Sequence, residues 1–135
     1  MRSILCSVLL AAAATAQCGT LTATGGAPGS TLALSLHGDA NAFAIIAFGQ
    51  TAGTTTINIG TIATLTLDLA MPFAPVPIGM TNASGDASRS IHIPATLPGQ
   101  DLLLQGLTAS FSFTPPTSFG LAFCTSNVVS VHVGS

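Results

Sequence analysis

The chain has 135 residues and a mass of 13.3 kDa, with 4% charged residues, 48% hydrophobic residues and neither Trp nor Tyr. This length suits one domain, and the hydrophobic content is too high for a disordered chain. Arg2 and Arg89 are the only Lys or Arg residues, so there is too little positive charge to bind nucleic acid phosphates.

The N-terminus has the three parts of a secretory signal peptide. Arg2 supplies a positive charge, residues 4–14 form an apolar stretch, and Ala14-Thr15-Ala16 is a small-residue cleavage site. We therefore predict that residues 1–16 are removed and that residues 17–135 form a single mature domain. This segment and all later apolar segments are shorter than the ~20 residues of a spanning helix, so we predict no membrane span.

The predicted cleavage places the protein outside the cytoplasm, either secreted or at the cell surface. A lipid anchor on Cys18 is the alternative, although Gln17 stands where a lipid-modified cysteine needs a small residue. Without Arg2, Arg89 is the only basic residue beside four Asp, so the mature net charge is 1 − 4 = −3.

Two cysteines stay in the mature chain after Cys6 is removed with the signal peptide. Cys18 and Cys124 can form one disulfide in an oxidising compartment. Two buried thiols, or a link between two chains, are the alternatives. A zinc site is not expected, because structural zinc needs four ligands and the sequence has no C-x-x-C.

Short apolar segments alternate with Gly, Pro, Asn and Asp along the mature chain, at intervals of about ten residues. In 31–37, Leu32, Leu34 and Leu36 alternate with smaller or polar residues, which predicts a half-buried strand that ends in a turn at 38–41. The predicted strands are 31–37, 42–48, 54–59, 61–69, 90–93, 102–107, 110–113, 120–124 and 128–133.

Eight or nine short strands with regular turns predict an all-β protein, an antiparallel β-sandwich. The continuous apolar run 42–48 predicts a central strand that is covered on both faces. Residues 70–88 contain three prolines and predict a long connection or an irregular edge strand, since Pro cannot donate to a sheet. The glycine-rich segment 24–29 predicts a turn, because it has no Lys for a phosphate-binding loop.

Several motifs recur in the C-terminal third. Residues 94–100 read P-A-T-L-P-G-Q, residues 102–105 read L-L-L-Q, and 120–122 read G-L-A; S-N at 126–127 precedes a Val-rich last strand. This pattern resembles a small β-sandwich domain family of secreted bacterial proteins. The resemblance implies a β-sandwich that is often appended to longer secreted proteins and has no assigned activity.

The three histidines are the first candidates for chemistry. His37, His92 and His132 each fall on the polar side of an alternating strand, and no two are spaced as metal ligands. We interpret them as surface residues and predict no metal site.

The acidic residues and serines offer no other catalytic pattern. Asp39, Asp86 and Asp101 lie beside turn residues, where Asp bonds to the local backbone, and Arg89 is expected to pair with Asp86 or Asp68. No G-x-S-x-G occurs either. We therefore predict no catalytic residues, no cofactor and no enzyme activity.

The low charge of the mature surface is the feature that bears on function, because such surfaces favour association. We predict a secreted structural or assembly protein of the cell surface or extracellular matrix, with copies of itself or other cell-surface proteins as partners. The alternative is a module that binds carbohydrates or surfaces through loops at one end of the sandwich. The absence of Trp and Tyr, on which sugars stack, favours the structural prediction.

Overall fold

The computed structural model describes residues 18–59, 63–114 and 118–135, without the side chains of residues 114, 118 and 119. The predicted signal peptide, 1–16, lies outside these residues. The described part contains nine strands and no helix, and so confirms the all-β prediction. The strands are β1 (Thr20–Gly25), β2 (Thr31–His37), β3 (Phe43–Gly49), β4 (Ala52–Ile59), β5 (Ala63–Leu69), β6 (Phe73–Met80), β7 (Asp86–His92), β8 (Gln100–Thr114) and β9 (Ser118–Val133).

The strands form three antiparallel layers. The outer sheet has the order β1-β2-β7, the central sheet has the order β6-β3-β8-β9, and β4 pairs with β5 in a separate hairpin. The outer sheet packs on one face of the central sheet and the β4–β5 hairpin packs on the other. The arrangement is consistent with a β-sandwich in which one sheet is covered twice.

The first core lies between the outer and central sheets. The alternation in β2 places three leucines in this core, with the residues between them exposed. The central sheet contributes every second residue of β3 and the ends of β8 and β9. The buried members are Leu21, Leu32, Leu34, Leu36, Ala44, Ile46, Ile93, Leu104, Val131 and Val133.

The second core lies between the central sheet and the β4–β5 hairpin. Ala47 of β3 faces this core, whereas Ile46 faces the first one, so β3 is covered on both faces as its apolar sequence predicts. The hairpin contributes alternate residues of β5. The buried members are Ala47, Leu65, Leu67, Leu69, Leu107 and Ala109.

Several predicted strand boundaries differ from those of the structure. The segments 102–107 and 110–113 form one continuous strand, β8, and 120–124 and 128–133 form β9. The register between β8 and β9 shifts at Gln105/Leu107, so a bulge lies inside the predicted strand 102–107 and, on β9, between the predicted strands 120–124 and 128–133. The predicted turn at 24–29 begins two residues late, because residues 24 and 25 belong to β1, a strand that our sequence analysis did not predict.

The proline-rich segment 70–88 is confirmed as an edge strand only in part, because it contains the edge strand β6, a loop at 81–85 and the first residues of β7, which begins before the predicted strand 90–93. Pro75 and Pro77 lie in β6, which pairs with β3 on one side and ends the central sheet. The turn at 38–41 is also confirmed, and Asn41 has a positive φ of 52°, a conformation that Asn adopts more readily than most residues.

β1 and β9 close one side of the sandwich, since they join the outer sheet to the central one. Cys18 and Cys124 form a disulfide with Cα atoms 5.5 Å apart, within the normal range for such a bond. The Asn127 side chain accepts a hydrogen bond from the Leu21 N–H at 2.8 Å and donates one to the Leu21 carbonyl at 3.2 Å. The amide of Asn127 therefore takes the place of a neighbouring strand along β1.

Within the described ranges, no helix has the length and apolar character that crossing a membrane requires.

Candidate functional site: an apolar hairpin arm and a polar groove

The far half of the β8–β9 hairpin extends beyond the central sheet. β3 pairs with β8 as far as Ala109, opposite Phe43, and from there on β8 pairs only with β9 among the described strands. We call this extension, residues 110–114 and 118–122, the hairpin arm. A two-stranded ribbon of this kind is marginally stable in water by itself.

The hairpin arm has one apolar face. β8 keeps its register with β9 from Leu107 to the end, so Phe111 and Phe113 lie on the same face as the second core. Both phenylalanines are 65% exposed, while Leu121 across from Phe111 is half-buried against that core. Phe43, also exposed, continues this face at the base of the arm.

The arm and its flanking strands carry no charge at all. Asp101 and His132 are the nearest charged or titratable residues in the sequence, and the 30 residues between them contain no Asp, Glu, Lys, Arg or His. Natural proteins commonly use such charges to prevent association. The strand segments that carry the exposed phenylalanines therefore contribute no charge that would oppose association.

A second feature is a polar groove on the outer face of the β1-β2-β7 sheet, with a volume of about 460 Å³. His37 of β2 and Asp86 of β7 meet there as a cross-strand pair, with His37 Nδ1 2.8 Å from Asp86 Oδ1. Four of the eight other lining residues carry a hydroxyl group. The lining residues are Thr20, Thr22, Ser35, Leu36, His37, Met80, Asn82, Asp86, Ala87 and Ser88.

The other two histidines, His92 and His132, do not line this groove. His132 Nδ1 is 2.7 Å from Asp101 Oδ1 across the β8–β9 pair, and its Nε2 is 3.2 Å from the Ser135 carbonyl oxygen. The hydrogen bond to Asp101 and, to a smaller extent, the hydrogen bond to Ser135 raise the pKa of His132 above its usual value of 6.5. His92 is exposed at the end of β7, opposite Thr31. All three histidines thus lie on the surface, as predicted.

The sequence pattern did not predict the two histidine–carboxylate pairs. Asp86 and Asp101 were interpreted as turn residues, but each contacts a histidine on a neighbouring strand. The prediction for Arg89 is wrong, because its guanidinium donates to the Pro77 carbonyl oxygen at 3.1 Å instead of pairing with an aspartate. Both pairs are exposed to solvent.

One cluster of potential metal ligands lies at the disulfide. Within the described residues, the one group of three that lies close enough to share an ion consists of Cys18, Asp39 and Cys124. The two cysteines are joined in the disulfide, which leaves no thiolate to bind a metal. This group therefore cannot act as a metal site.

A buried polar cluster at the β8–β9 bulge links β8 to β5 and to β9. The Gln105 side chain, 1% exposed, accepts from the Asp68 N–H at 2.7 Å and donates to the Ser126 carbonyl oxygen at 2.9 Å. Ser126 Oγ accepts from the Gly106 N–H at 2.8 Å. These bonds satisfy the backbone groups that the bulge leaves unpaired.

Comparison with known proteins finds no matching family model, no matching curated protein and no matching solved structure. The resemblance of the C-terminal motifs to secreted β-sandwich domains stays a prediction.

Proposed function

We propose that the mature protein is a secreted structural protein of the cell surface or extracellular matrix, which assembles with copies of itself and has no catalytic role. The single observation that carries the proposal is the hairpin arm, on which Phe111 and Phe113 are exposed on a surface without charges. The disulfide between β1 and β9 agrees with an oxidising compartment outside the cytoplasm.

The exposed area is large enough for association to matter. A phenylalanine presents ~200 Å², so two that are 65% exposed leave ~260 Å² of apolar surface for burial. At ~25 cal/mol per Å², covering that surface contributes ~6 kcal/mol per copy, and a symmetric contact uses it twice. This contribution is comparable to the ~4–15 kcal/mol that association costs.

A second copy of the chain is the partner that best fits the arm. A symmetric contact brings identical surfaces together, so any charge on them would repel itself. No charged residue lies between Asp101 and His132, so two arms can meet without this repulsion. A strongly charged partner would find no counter-charge there. Other low-charge proteins of the cell surface could use the same face.

The test is the molar mass of the mature protein, residues 17–135, by size-exclusion chromatography with light scattering. We expect mass to rise with concentration, and Phe113→Ser to reduce this rise. Met71→Ser is the matched control, because Met71 is 69% exposed and precedes the start of β6, where Phe73 pairs with Gly49 at the end of β3 away from the arm. A wild-type protein that stays monomeric at high concentration would refute the proposal.

Glycan binding is the second candidate, favoured by the groove on the outer sheet. Its hydroxyl groups and the His37–Asp86 pair can exchange hydrogen bonds with sugar hydroxyls. A glycan array tests this candidate directly, with His37→Ala and Asp86→Ala as variants that should lose any signal. An array without hits would remove the candidate.

A further inference from the structure

We infer that β4 is a second assembly surface, at which two copies of this chain pair their β4 strands antiparallel and join two β4–β5 hairpins into one four-stranded sheet. The inference rests on the proposed function and deepens it, because it names how assembly continues beyond the contact between hairpin arms.

β4 is an edge strand that lacks the usual protection. It pairs only with β5 among the described strands, so the backbone groups on its other side have no strand partner. From Thr54 to Ile59 it contains three threonines, two isoleucines and one asparagine, with no Pro and no charge. β-branched residues favour a strand, and an uncharged edge of this kind is a template for pairing.

Three other edge strands, β1, β5 and β6, have features that oppose pairing at some of their positions. β6 contains Pro75 and Pro77, which cannot donate to a new strand. The edge of β1 is occupied by the Asn127 side chain. On β5, the backbone N–H of Asp68 already donates to Gln105.

The side-chain pattern of β4 suits pairing with itself. Thr56 and Asn58 lie on the exposed face of the hairpin, where they contact Thr66 and Thr64 of β5 at 3.4 Å and 3.1 Å. Antiparallel pairing of two β4 strands would place Thr, Asn and Ile side chains beside one another, without like charges. A peptide that depends on charge for recognition would gain nothing at this edge.

Two different contact surfaces have a consequence for the size of the assembly. A twofold contact through the hairpin arm alone stops at a dimer, and so does a twofold contact through β4 alone. When each copy uses both, every copy has two neighbours and the assembly can grow as an open chain. The wild-type protein is therefore expected to form assemblies larger than dimers.

The experiment compares two double variants of the mature protein by light scattering and electron microscopy. Thr56→Lys with Asn58→Lys places two charges on the edge strand. Thr64→Lys with Thr66→Lys is the matched control, since it adds the same charges to the same face and removes the same side-chain contacts, but on β5. Circular dichroism verifies that both variants keep the β structure.

We expect the β4 variant to stop at a dimer, twice the monomer mass, while the control assembles like the wild type. Phe113→Ser should also stop at a dimer, now joined through β4. In the wild type, amide exchange at residues 54–59 should slow at least tenfold on assembly. This last measurement does not depend on how well any variant folds.

The outcomes separate the two proposals. A β4 variant that assembles like the wild type, a control that is blocked equally, or unchanged exchange at 54–59 would overturn the β4 inference and leave the proposed function standing. If the wild type stopped at a dimer, β4 would not be a second surface. A monomeric wild type would overturn both proposals.

Discussion

Gln105 is the residue whose replacement tests the described architecture most directly. We expect Gln105→Met, which keeps the volume but removes the amide, to destabilise the domain by ~2–5 kcal/mol. The variant leaves the Asp68 N–H and the buried Ser126 carbonyl without their partner, and each unsatisfied group costs ~1–3 kcal/mol. For a domain of this size, ~4 °C per kcal/mol gives a melting temperature ~8–20 °C lower.

Urea denaturation and thermal melting followed by circular dichroism measure the effect. Gln50→Met is the control, because Gln50 is exposed and the same chemical change there should alter stability by less than ~0.5 kcal/mol. The argument fails if Gln105→Met is as stable as the control. In that case the cluster at the bulge would not be what holds the β4–β5 hairpin to the central sheet.

Three other predictions concern the disulfide, the contact of Gly106 with Leu36 between the two sheets, and the His132–Asp101 pair. Reducing the disulfide, which spans 106 residues, should cost ~2–5 kcal/mol, seen as a lower urea midpoint with dithiothreitol; an unchanged midpoint would contradict it. Gly106→Ala should destabilise the domain by ~1–3 kcal/mol, because a Cβ at this position would lie 2.5 Å from Leu36 Cδ1. A variant that denatures at the same urea concentration as the wild type would contradict this close contact between the two sheets. His132 should titrate above pH 6.5 by NMR and shift down in Asp101→Asn. Since its folded pKa is raised, its contribution to stability is complete below pH 6.5 and is lost as the pH rises through the folded value.

Local sequence patterns predicted β2 and β3 well, because each carries its signal within seven residues. β2 alternates strictly and β3 is apolar throughout, and the structure gives them one buried face and two buried faces. β1 has the same alternation around Leu21, but only one large apolar residue, so its signal was overlooked. Our prediction for the C-terminal strands divided β8 at residues 108–109 and β9 at residues 125–127, because small or polar residues interrupt the large apolar ones there.

The candidate surfaces depended on information that no local pattern contains. The pairing of His37 with Asp86 requires the register between β2 and β7, strands separated by 49 residues at this contact. Phe111 lies beyond Ala109, the residue of β8 that pairs with the first residue of β3, Phe43, and the sequence of β8 cannot reveal where β3 begins. The low charge of the whole surface, in contrast, was evident from composition and already favoured association.

The contacts between β1 and β9, which join the two ends of the domain, have a consequence for how fast the chain can fold. The bond between Leu21 and Asn127 joins residues 106 apart, and the contact of Asp39 with Thr108 joins residues 69 apart. Among the described strands, only β1–β2, β4–β5 and β8–β9 pair neighbours in the sequence, so the central sheet cannot form before distant segments meet. Chains dominated by such pairings fold in milliseconds to seconds, with their edges exposed in the meantime. The same uncharged strands that suit an assembled matrix are therefore a hazard while each new chain is still folding.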